Sequence, residues 1–425
     1  MIVLVTLSAL PIGFYYFFVL KYGSNIPISD DFEAVLDFLN HYYEVSAFHD
    51  RVALIFSQHN EHRIVLTRLV VLAQHYLLRT INFKTLLMIG NIGIIGILIV
   101  IYLSHNRRNP LWFTPVIFIL FEPQYFGAIF FAMCSIQTFY ALLFAFTALS
   151  YLSRDASKYF ILAAVLATIS TFTSGNGILC FVAGVVPLLT HKRFKLLIIW
   201  ILIMVINCLI YFHGYSQPLN HPSIIKTLTT QPTAAAVYFI MLLGNILYIP
   251  SKMDTLETFS PALYLPLTLG ALIFAFFIFL SIRKYYLRNT SLYSFFVFIL
   301  LSEAVTAAAR SGLGLTNALT TRYIIMSALL LIICYLALIE TLEPETVQKF
   351  FYVGLAAAIV FNCTAFYLNY EKISTLRTLL KRGFLYFQVN KDRGLAHPDQ
   401  IKARMILLRA IDMGYYRVPE LSNSD

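Results

Sequence analysis

Charged residues are scarce in this 425-residue sequence. Aspartate, glutamate, lysine and arginine make up 12% of the chain, about half of the share that soluble globular domains carry, whereas 59% of the residues are hydrophobic. So few charges cannot cover the surface of a water-soluble protein of this length. The composition predicts an all-α polytopic membrane protein.

The cysteines show no metal-ligand spacing. All five lie within apolar segments, with no CxxC pair and no neighbouring histidine at metal-ligand spacing, so we interpret them as packing residues: Cys134, Cys180, Cys208, Cys334 and Cys363. The formal net charge is +10, but the basic residues form short clusters between apolar segments and a C-terminal group. That distribution favours membrane topology and argues against a nucleic-acid partner.

Apolar segments suited to about eleven transmembrane helices follow one another along the chain. The first has no cleavage site behind it, so we expect it to remain in the protein. The segments are 2–20, 84–104, 110–122, 128–152, 159–172, 177–190, 196–213, 261–282, 291–309, 323–340 and 347–368. With the N-terminus inside, the basic linkers at Arg107-Arg108, Arg154, Lys192-Arg193 and Arg283-Lys284 all become cytoplasmic, as the positive-inside rule requires.

A twelfth apolar segment, 234–249, does not fit this count, because a further crossing would place Arg283 outside. We predict a re-entrant or interfacial helix within an external loop at 214–260. The transmembrane domain then covers 1–368, with juxtamembrane helices in a first external loop at 21–83. A basic tail, 369–425, is expected outside, lying on anionic lipid headgroups.

The polar residues that flank the membrane collect on this outer side. Asp30 and Asp31 follow the first helix, and the run of seven polar residues from Ser57 to Arg63 interrupts the same loop. The predicted site residues are Asp30, Asp31, His59, Asn60, Glu61, His62, Arg63, Glu122, Asn176, Arg310, Arg322 and Tyr323. Glu303 lies two helical turns before Arg310 and is its expected partner, because an ionised side chain at membrane depth needs one.

An acidic pair just after the first transmembrane helix, in a loop of juxtamembrane helices, resembles the GT-C superfamily of membrane glycosyltransferases. The HNEHR stretch at 59–63 and the RSGLGLTNALTTRY stretch at 310–323 are similar to GT-C-like bacterial proteins of surface-polysaccharide loci. The resemblance covers most of the chain to about residue 370. It implies a polyprenyl-phosphate-linked sugar donor, a glycan or lipid acceptor, and a plasma-membrane enzyme whose active site faces the periplasm.

The residue types support this chemistry. A sugar leaving from a phosphate needs no strong acid, because Arg310 and Arg322 can hold the phosphate charge. The acceptor hydroxyl needs a base, which we assign to Asp30 or Asp31, with Asp31 alternatively capping the helix that begins near Phe32. The run at 59–63, with Glu61 counted as catalytic, could orient the acceptor, bind phosphate or complete a divalent metal site with the aspartates. We expect it to line the cavity from the second juxtamembrane helix.

Other classes stay open. A polysaccharide polymerase or ligase would use a similar donor, but it would carry its large external loop in the second half of the chain. A transporter or flippase for lipid-linked glycans would distribute charges through both leaflets, whereas intramembrane charge here is almost confined to Glu303. A non-catalytic scaffold would keep the cavity without the reaction.

Overall fold

The structure is a computed structural model. It describes residues 2–106, 109–154, 157–218, 224–248 and 263–419. The predicted linker at Arg107-Arg108 lies outside the described residues, as do 219–223 and 249–260 of the predicted 214–260 loop. All five cysteines are free.

The chain is almost entirely α-helical. The helices are α1 (Ile2–Tyr22), α2 (Phe38–Glu44), α3 (Phe48–Phe56), α4 (Val65–Leu78), α5 (Phe83–Ser104), α6 (Thr114–Leu120), α7 (Phe126–Ile129), α8 (Ala132–Leu152), α9 (Ser157–Thr173), α10 (Leu179–Ala183), α11 (Val185–Thr190), α12 (Phe194–Phe212), α13 (Ile224–Thr230), α14 (Pro232–Gly244), α15 (Tyr264–Ile282), α16 (Tyr285–Arg288), α17 (Thr290–Arg310), α18 (Ile324–Thr341), α19 (Pro344–Asn390) and α20 (Gln400–Asp412). A π-helical turn, Phe32–Asp37, precedes α2, and short 3₁₀ turns link several helices. Strands β1 (Gln58–His59) and β2 (His62–Arg63) form one antiparallel hairpin.

Among the described residues, seven helices are long and apolar enough to cross a membrane: Phe83–Ser104, Ala132–Leu152, Phe194–Phe212, Tyr264–Ile282, Thr290–Leu313, Thr321–Thr341 and Pro344–Asn390. The eleven predicted spans are therefore not reproduced as eleven long helices. Shorter apolar helices occur at Leu7–Tyr22, Lys158–Thr173 and Gly175–Thr190. The predicted span 110–122 contains only the seven-residue helix α6, with Pro115 near its start.

Burial follows the position of each helix in the bundle. Almost every side chain of α18 between Ile324 and Glu340 is buried, so this helix lies at the centre. By contrast, α12 exposes Ile198 and Leu209, and α15 exposes Leu272. Apolar residues exposed along a peripheral helix suit contact with lipid chains.

The predicted re-entrant segment is a pair of helices, 224–230 and 232–247, bent by 107° in the manner of a broken span or a re-entrant loop. Its last residues lie beside the loop after α17, where Asn245 Nδ2 donates to the Ala318 carbonyl over 3.0 Å. Helix α14 crosses α15 very closely, since a Cβ on Gly270 would lie 1.9 Å from the Ile240 carbonyl oxygen. Gly270 is needed for this contact.

One end of the bundle carries basic turns and a buried polar network. The Glu340 carboxylate accepts hydrogen bonds from His105 Nδ1, Asn289 Nδ2 and Tyr285 Oη, each over 2.8 Å. Arg193 joins the same end by donating to the carbonyls of Leu152 and Arg154. The network ties the C-terminal ends of α5 and α18 to the start of α17.

The opposite end carries a layer with its own core. Phe32, Leu36 and Leu39 of the first loop pack there with Phe384 of α19 and Leu407 of α20. Helix α19 runs for 47 residues without a break, so the boundary predicted between residues 368 and 369 falls inside one helix. Two tail cations predicted to lie on lipid headgroups pair instead with the first loop, Lys402 with Glu33 and Arg409 with Glu44.

Candidate functional site

The polar run at 57–63 is a β-hairpin and not part of a juxtamembrane helix. Asn60 and Glu61 form its two-residue turn, with His59 paired to His62. Asn60 has φ +49°, a conformation that asparagine tolerates better than most residues. Gln58 holds the hairpin against the end of α12, because its side chain bonds both the N–H and the carbonyl of Ser216. The hairpin therefore projects Glu61 from its tip.

Six ionisable residues from four separate parts of the sequence form one electrostatic cluster: Asp30, His59, Glu61, His62, Arg310 and Arg322. The charge of Asp30 acts on both His59 and Arg322. His62 in turn experiences the charges of Glu61, Arg310 and Arg322. We name these six residues the outer cluster. Residues predicted from distant motifs are thus brought to one end of the bundle.

Within the outer cluster, the Glu61 carboxylate forms an ion pair with the Arg310 guanidinium. The pair is about one-fifth exposed, with side-chain accessibilities of 22% for Glu61 and 18% for Arg310. The sequence predicts that Arg310 pairs with Glu303. In the structure Glu303 is wholly buried in α17, and neither of its carboxylate oxygens bonds to Arg310. The expectation was wrong because it used only the spacing along one helix.

Arg322 lies where the loop after α17 enters α18. Its Nη2 donates to the hydroxyl of the neighbouring Tyr323 over 3.0 Å, and its Nε is buried without a hydrogen-bond partner among the described residues. Gly127 allows this loop to approach α7, since a Cβ there would lie 2.5 Å from Thr321 Oγ1. The guanidinium keeps a free donor at Nε, and the charge of Asp30 acts on it.

The two histidines of the hairpin are neutral. Burial lowers the pKa of His62 to about 4, and it also lowers the pKa of His59. His62 Nδ1 accepts the N–H of Gly175 over 3.2 Å, so the neutral ring carries its hydrogen on Nε2. His59 Nε2 is buried without a partner among the described residues. Each ring can therefore make a directed hydrogen bond without adding charge.

The two adjacent aspartates have different surroundings. Asp31 is buried, and its carboxylate accepts the N–H of Met133 over 2.9 Å and that of Ile28 over 3.3 Å. It therefore caps the start of α8 from another part of the chain. The prediction that Asp31 caps the helix after Phe32 is wrong, because its side chain makes no such bond. Burial raises the pKa of Asp31 to about 7, against the lowering effect of its backbone donors.

Asp30 is partly exposed, and its carboxylate forms no hydrogen bond or ion pair with any residue that the structure describes. Only its carbonyl is engaged, by the N–H of Ala34 over 2.8 Å. A carboxylate that is accessible and unpaired, and whose charge acts on Arg322, is available to a ligand. Of the two aspartates, Asp30 has the geometry of a base.

Arg63 does not present its guanidinium to the outer cluster. Its nitrogens donate to the carbonyls of Tyr211, Phe56 and His213, which lie at the ends of α12 and α3. A cation at a helix C-terminus stabilises the unpaired carbonyls there. Arg68, which was not predicted, has the same function at the end of α3, donating to Leu54, Ile55 and Ser57. This geometry favours a structural role for Arg63 over substrate binding.

Two further predicted residues, Glu122 and Asn176, have different surroundings. Glu122 is completely buried and accepts the N–H of Gln124 over 2.7 Å, among aromatic residues of the bundle core. Asn176 is partly exposed in the 3₁₀ turn that carries Gly175, the donor to His62. Gly175 was missed, although its place in the SGNG stretch marks a tight turn: a Cβ there would lie 2.9 Å from His62 Nδ1.

No group of three or more histidine, cysteine, aspartate or glutamate residues is arranged to hold a metal ion in the ranges that the structure describes. The outer cluster instead combines two carboxylates, two guanidiniums and two neutral imidazoles. Such a set can bind a phosphate through the arginines and accept a hydroxyl proton through a carboxylate.

No family model, no curated protein and no solved structure gives a significant match to this chain.

Proposed function

We propose that the protein is a membrane glycosyltransferase that transfers a sugar from a polyprenyl-phosphate donor to a lipid-linked or surface glycan. The observation that carries this proposal is the unpaired carboxylate of Asp30 within electrostatic range of Arg322, at the end of a bundle of apolar helices. A base within electrostatic range of a guanidinium with a free donor matches the two needs of the reaction, which are to deprotonate a hydroxyl and to hold a departing phosphate.

In the proposed reaction, Asp30 accepts the proton of the acceptor hydroxyl while that oxygen attacks the anomeric carbon of the sugar. The bond from the anomeric carbon to the phosphate oxygen breaks, and the electron pair leaves with the polyprenyl phosphate. Arg322 and Arg310 bind the phosphate, with Arg310 exchanging Glu61 for it. Attack from the face opposite the phosphate inverts the anomeric centre.

The membrane arrangement is part of the proposal. Eleven crossings with a re-entrant 224–247 segment, in a GT-C-like bundle, place the outer cluster on the periplasmic side of a bacterial plasma membrane. The separation of the basic turns at Arg193 and Arg283 from the outer cluster supports this orientation, because cytoplasmic loops are enriched in arginine and lysine. Apolar side chains on α12 and α15 would contact the lipid tail of the donor or the bilayer.

The test is transfer by the purified protein in lipid nanodiscs, with a panel of radiolabelled polyprenyl-phosphate-linked hexoses and pentoses and a mixed glycolipid acceptor pool. We expect product with the wild-type protein and none with Asp30→Asn. Asp50→Asn is the matched control, since Asp50 lies in the same loop but is half exposed and pairs with His49. Movement of intact donor across the membrane with no transfer would identify a flippase and contradict the proposal.

A further inference from the structure

The residue before Asp30 has an unusual backbone conformation. Ser29 has φ +47°, in the left-handed region that non-glycine residues seldom adopt. Its N–H donates to the carbonyl of Ala396 over 2.7 Å, and Ile28 forms an isolated parallel bridge with Ala396. A contact from the C-terminal part of the chain thus stabilises the turn that presents Asp30.

His397, the next residue of that bridge, contacts the other side of the turn. Its Nε2 lies 3.1 Å from Glu33 Oε1, and its ring packs edge-on against the buried Phe32 with 5.5 Å between centroids. The His397 side chain is only 6% exposed. The buried ring therefore contacts both Phe32 and Glu33, the two residues that start the helical turn after Asp31.

The chain returns to this position through a close backbone crossing. Gly394 has φ +108°, and a Cβ there would lie 2.1 Å from the carbonyl oxygen of Gly383 in α19. Leu395 is then buried in the same core as Phe32 and Leu407. The segment 394–397 is built into the layer and is not a loose tail.

The turn at 28–33 is held from two directions. Asp31 attaches it to the N–H of Met133 at the start of α8, and Ala396 with His397 attaches it to the C-terminal segment. Asp30 is the residue between these two attachments, and its own carboxylate is unbound. Removing one attachment would leave the turn free to relax from the left-handed conformation at Ser29.

We propose that the C-terminal segment 394–397 is a positioning element for Asp30, with His397 as its positioning residue. This inference rests on the proposed function for its effect on rate, whereas its effect on the turn is independent of any activity. Without His397, Asp30 would be displaced from the acceptor while Arg322 still bound the donor. Small displacements of a catalytic group reduce turnover strongly.

The experiment compares His397→Ala with His397→Gln, which retains an N–H donor, and with Arg409→Ala as the matched control. Arg409 lies on α20, outside the 394–397 segment, and pairs with Glu44. We expect His397→Ala to lower kcat about ten- to a hundredfold, with donor Kd within about threefold of wild type. His397→Gln should recover part of the loss, and Arg409→Ala should have wild-type kcat.

Amide hydrogen exchange gives a second measurement that needs no substrate. The Ser29 amide should exchange at least about tenfold faster in His397→Ala than in wild type, because opening of the turn exposes it. Unchanged exchange, or faster exchange with unchanged kcat, would overturn the proposal. If the wild type transferred no sugar while Ser29 exchange still rose, the proposed function would fail and the positioning of the turn would stand.

A disulfide between Ile28→Cys and Ala396→Cys covers the case in which both His397 variants fail to fold. The two positions are partners in the bridge and are close enough for a disulfide. We expect the oxidised double variant to keep full activity, because the locked geometry is the working one. An inactive oxidised form that regains activity on reduction would show that the segment must separate from the turn, and would contradict the proposal.

Discussion

The carboxylate of Glu61 pairs with the guanidinium of Arg310, although 249 residues separate them in the chain. The pair joins the tip of the hairpin to the end of α17 and neutralises an arginine that would otherwise attract an anion. A phosphate that binds to Arg310 must therefore compete with Glu61.

This competition gives the first prediction. Glu61→Gln should bind a polyprenyl-phosphate donor more tightly than wild type, by about two- to tenfold, because the loss of the pair frees the Arg310 fork for the phosphate. Equilibrium binding of a fluorescent donor in nanodiscs measures the change. Weaker binding by Glu61→Gln would mean that the pair builds the site and does not compete with the ligand.

The second prediction separates the adjacent aspartates. Asp30→Asn should abolish transfer with little change in thermal stability, because its carboxylate bonds to no described residue. Asp31→Ala should cost about 1–3 kcal/mol of unfolding free energy, since the N–H of Met133 loses its acceptor in a buried place. Thermal unfolding followed by tryptophan fluorescence checks both variants. A stable Asp31→Ala protein without activity would instead move the catalytic role to Asp31.

The third prediction contrasts two arginines. Arg322→Lys keeps the charge but loses the planar fork, so donor affinity should fall about tenfold or more while the fold persists. Arg63→Lys should lower the melting temperature and leave donor affinity unchanged, because a lysine cannot reach the three carbonyls of Tyr211, Phe56 and His213 together. Donor Kd and melting temperature are measured for both variants. Equal donor affinity in Arg322→Lys and wild type would assign Arg322 to structure.

The fourth prediction concerns pH. The folded-state pKa of His62 is about 4, below the ordinary value of 6.5, so the unfolded chain binds a proton that the folded protein does not. His62 therefore leaves stability unaffected above about pH 6.5 and lowers it as pH falls towards 4, by at most about 1.4 kcal/mol per pH unit. His62→Gln should flatten the fall in melting temperature between pH 7 and 4.5. His49→Gln is the control, because His49 is 84% exposed.

The fifth prediction tests sidedness. Lys192, Lys284 and Lys391 are exposed at turns, and single cysteines there should report two different sides. In intact cells, an impermeant maleimide should label Lys391→Cys, while Lys192→Cys and Lys284→Cys should react only after lysis, in a background without the native cysteines. Labelling of Lys284→Cys from outside would show that 224–247 crosses the membrane.

The sequence determines much of this arrangement because long apolar runs can only form helices in a bilayer. Alternation of those runs along the chain then places Asp30, Arg310 and Arg322 at one end of the bundle. The hairpin at 58–63 has no such signal, since its two-residue turn depends on the positive φ of Asn60. The partner of Asp31, Met133, lies 102 residues away, and no local pattern identifies it.

The sequence also does not predict where helices continue and where they break. The apolar run of α19 stops near residue 368, but the residues that follow still favour a helix, so the boundary in hydropathy is not a boundary in structure. In 110–122 the opposite holds: the run is apolar, but its only helix is the seven-residue α6, with Pro115 near its start.

The length of α19 has a mechanical consequence. A helix of 47 residues is about 70 Å long, more than twice the thickness of the hydrocarbon core, so one continuous helix reaches from the bundle into the outer layer that contains Phe384. Tilting it by about 5° around its midpoint would move its far end by about 3 Å, given a half-length of about 35 Å. A hydrophobic span longer than the bilayer is thick can accommodate by tilting. Any tilt of α19 would move Gly383 against Gly394, and with it the segment whose Ala396 carbonyl accepts the N–H of Ser29.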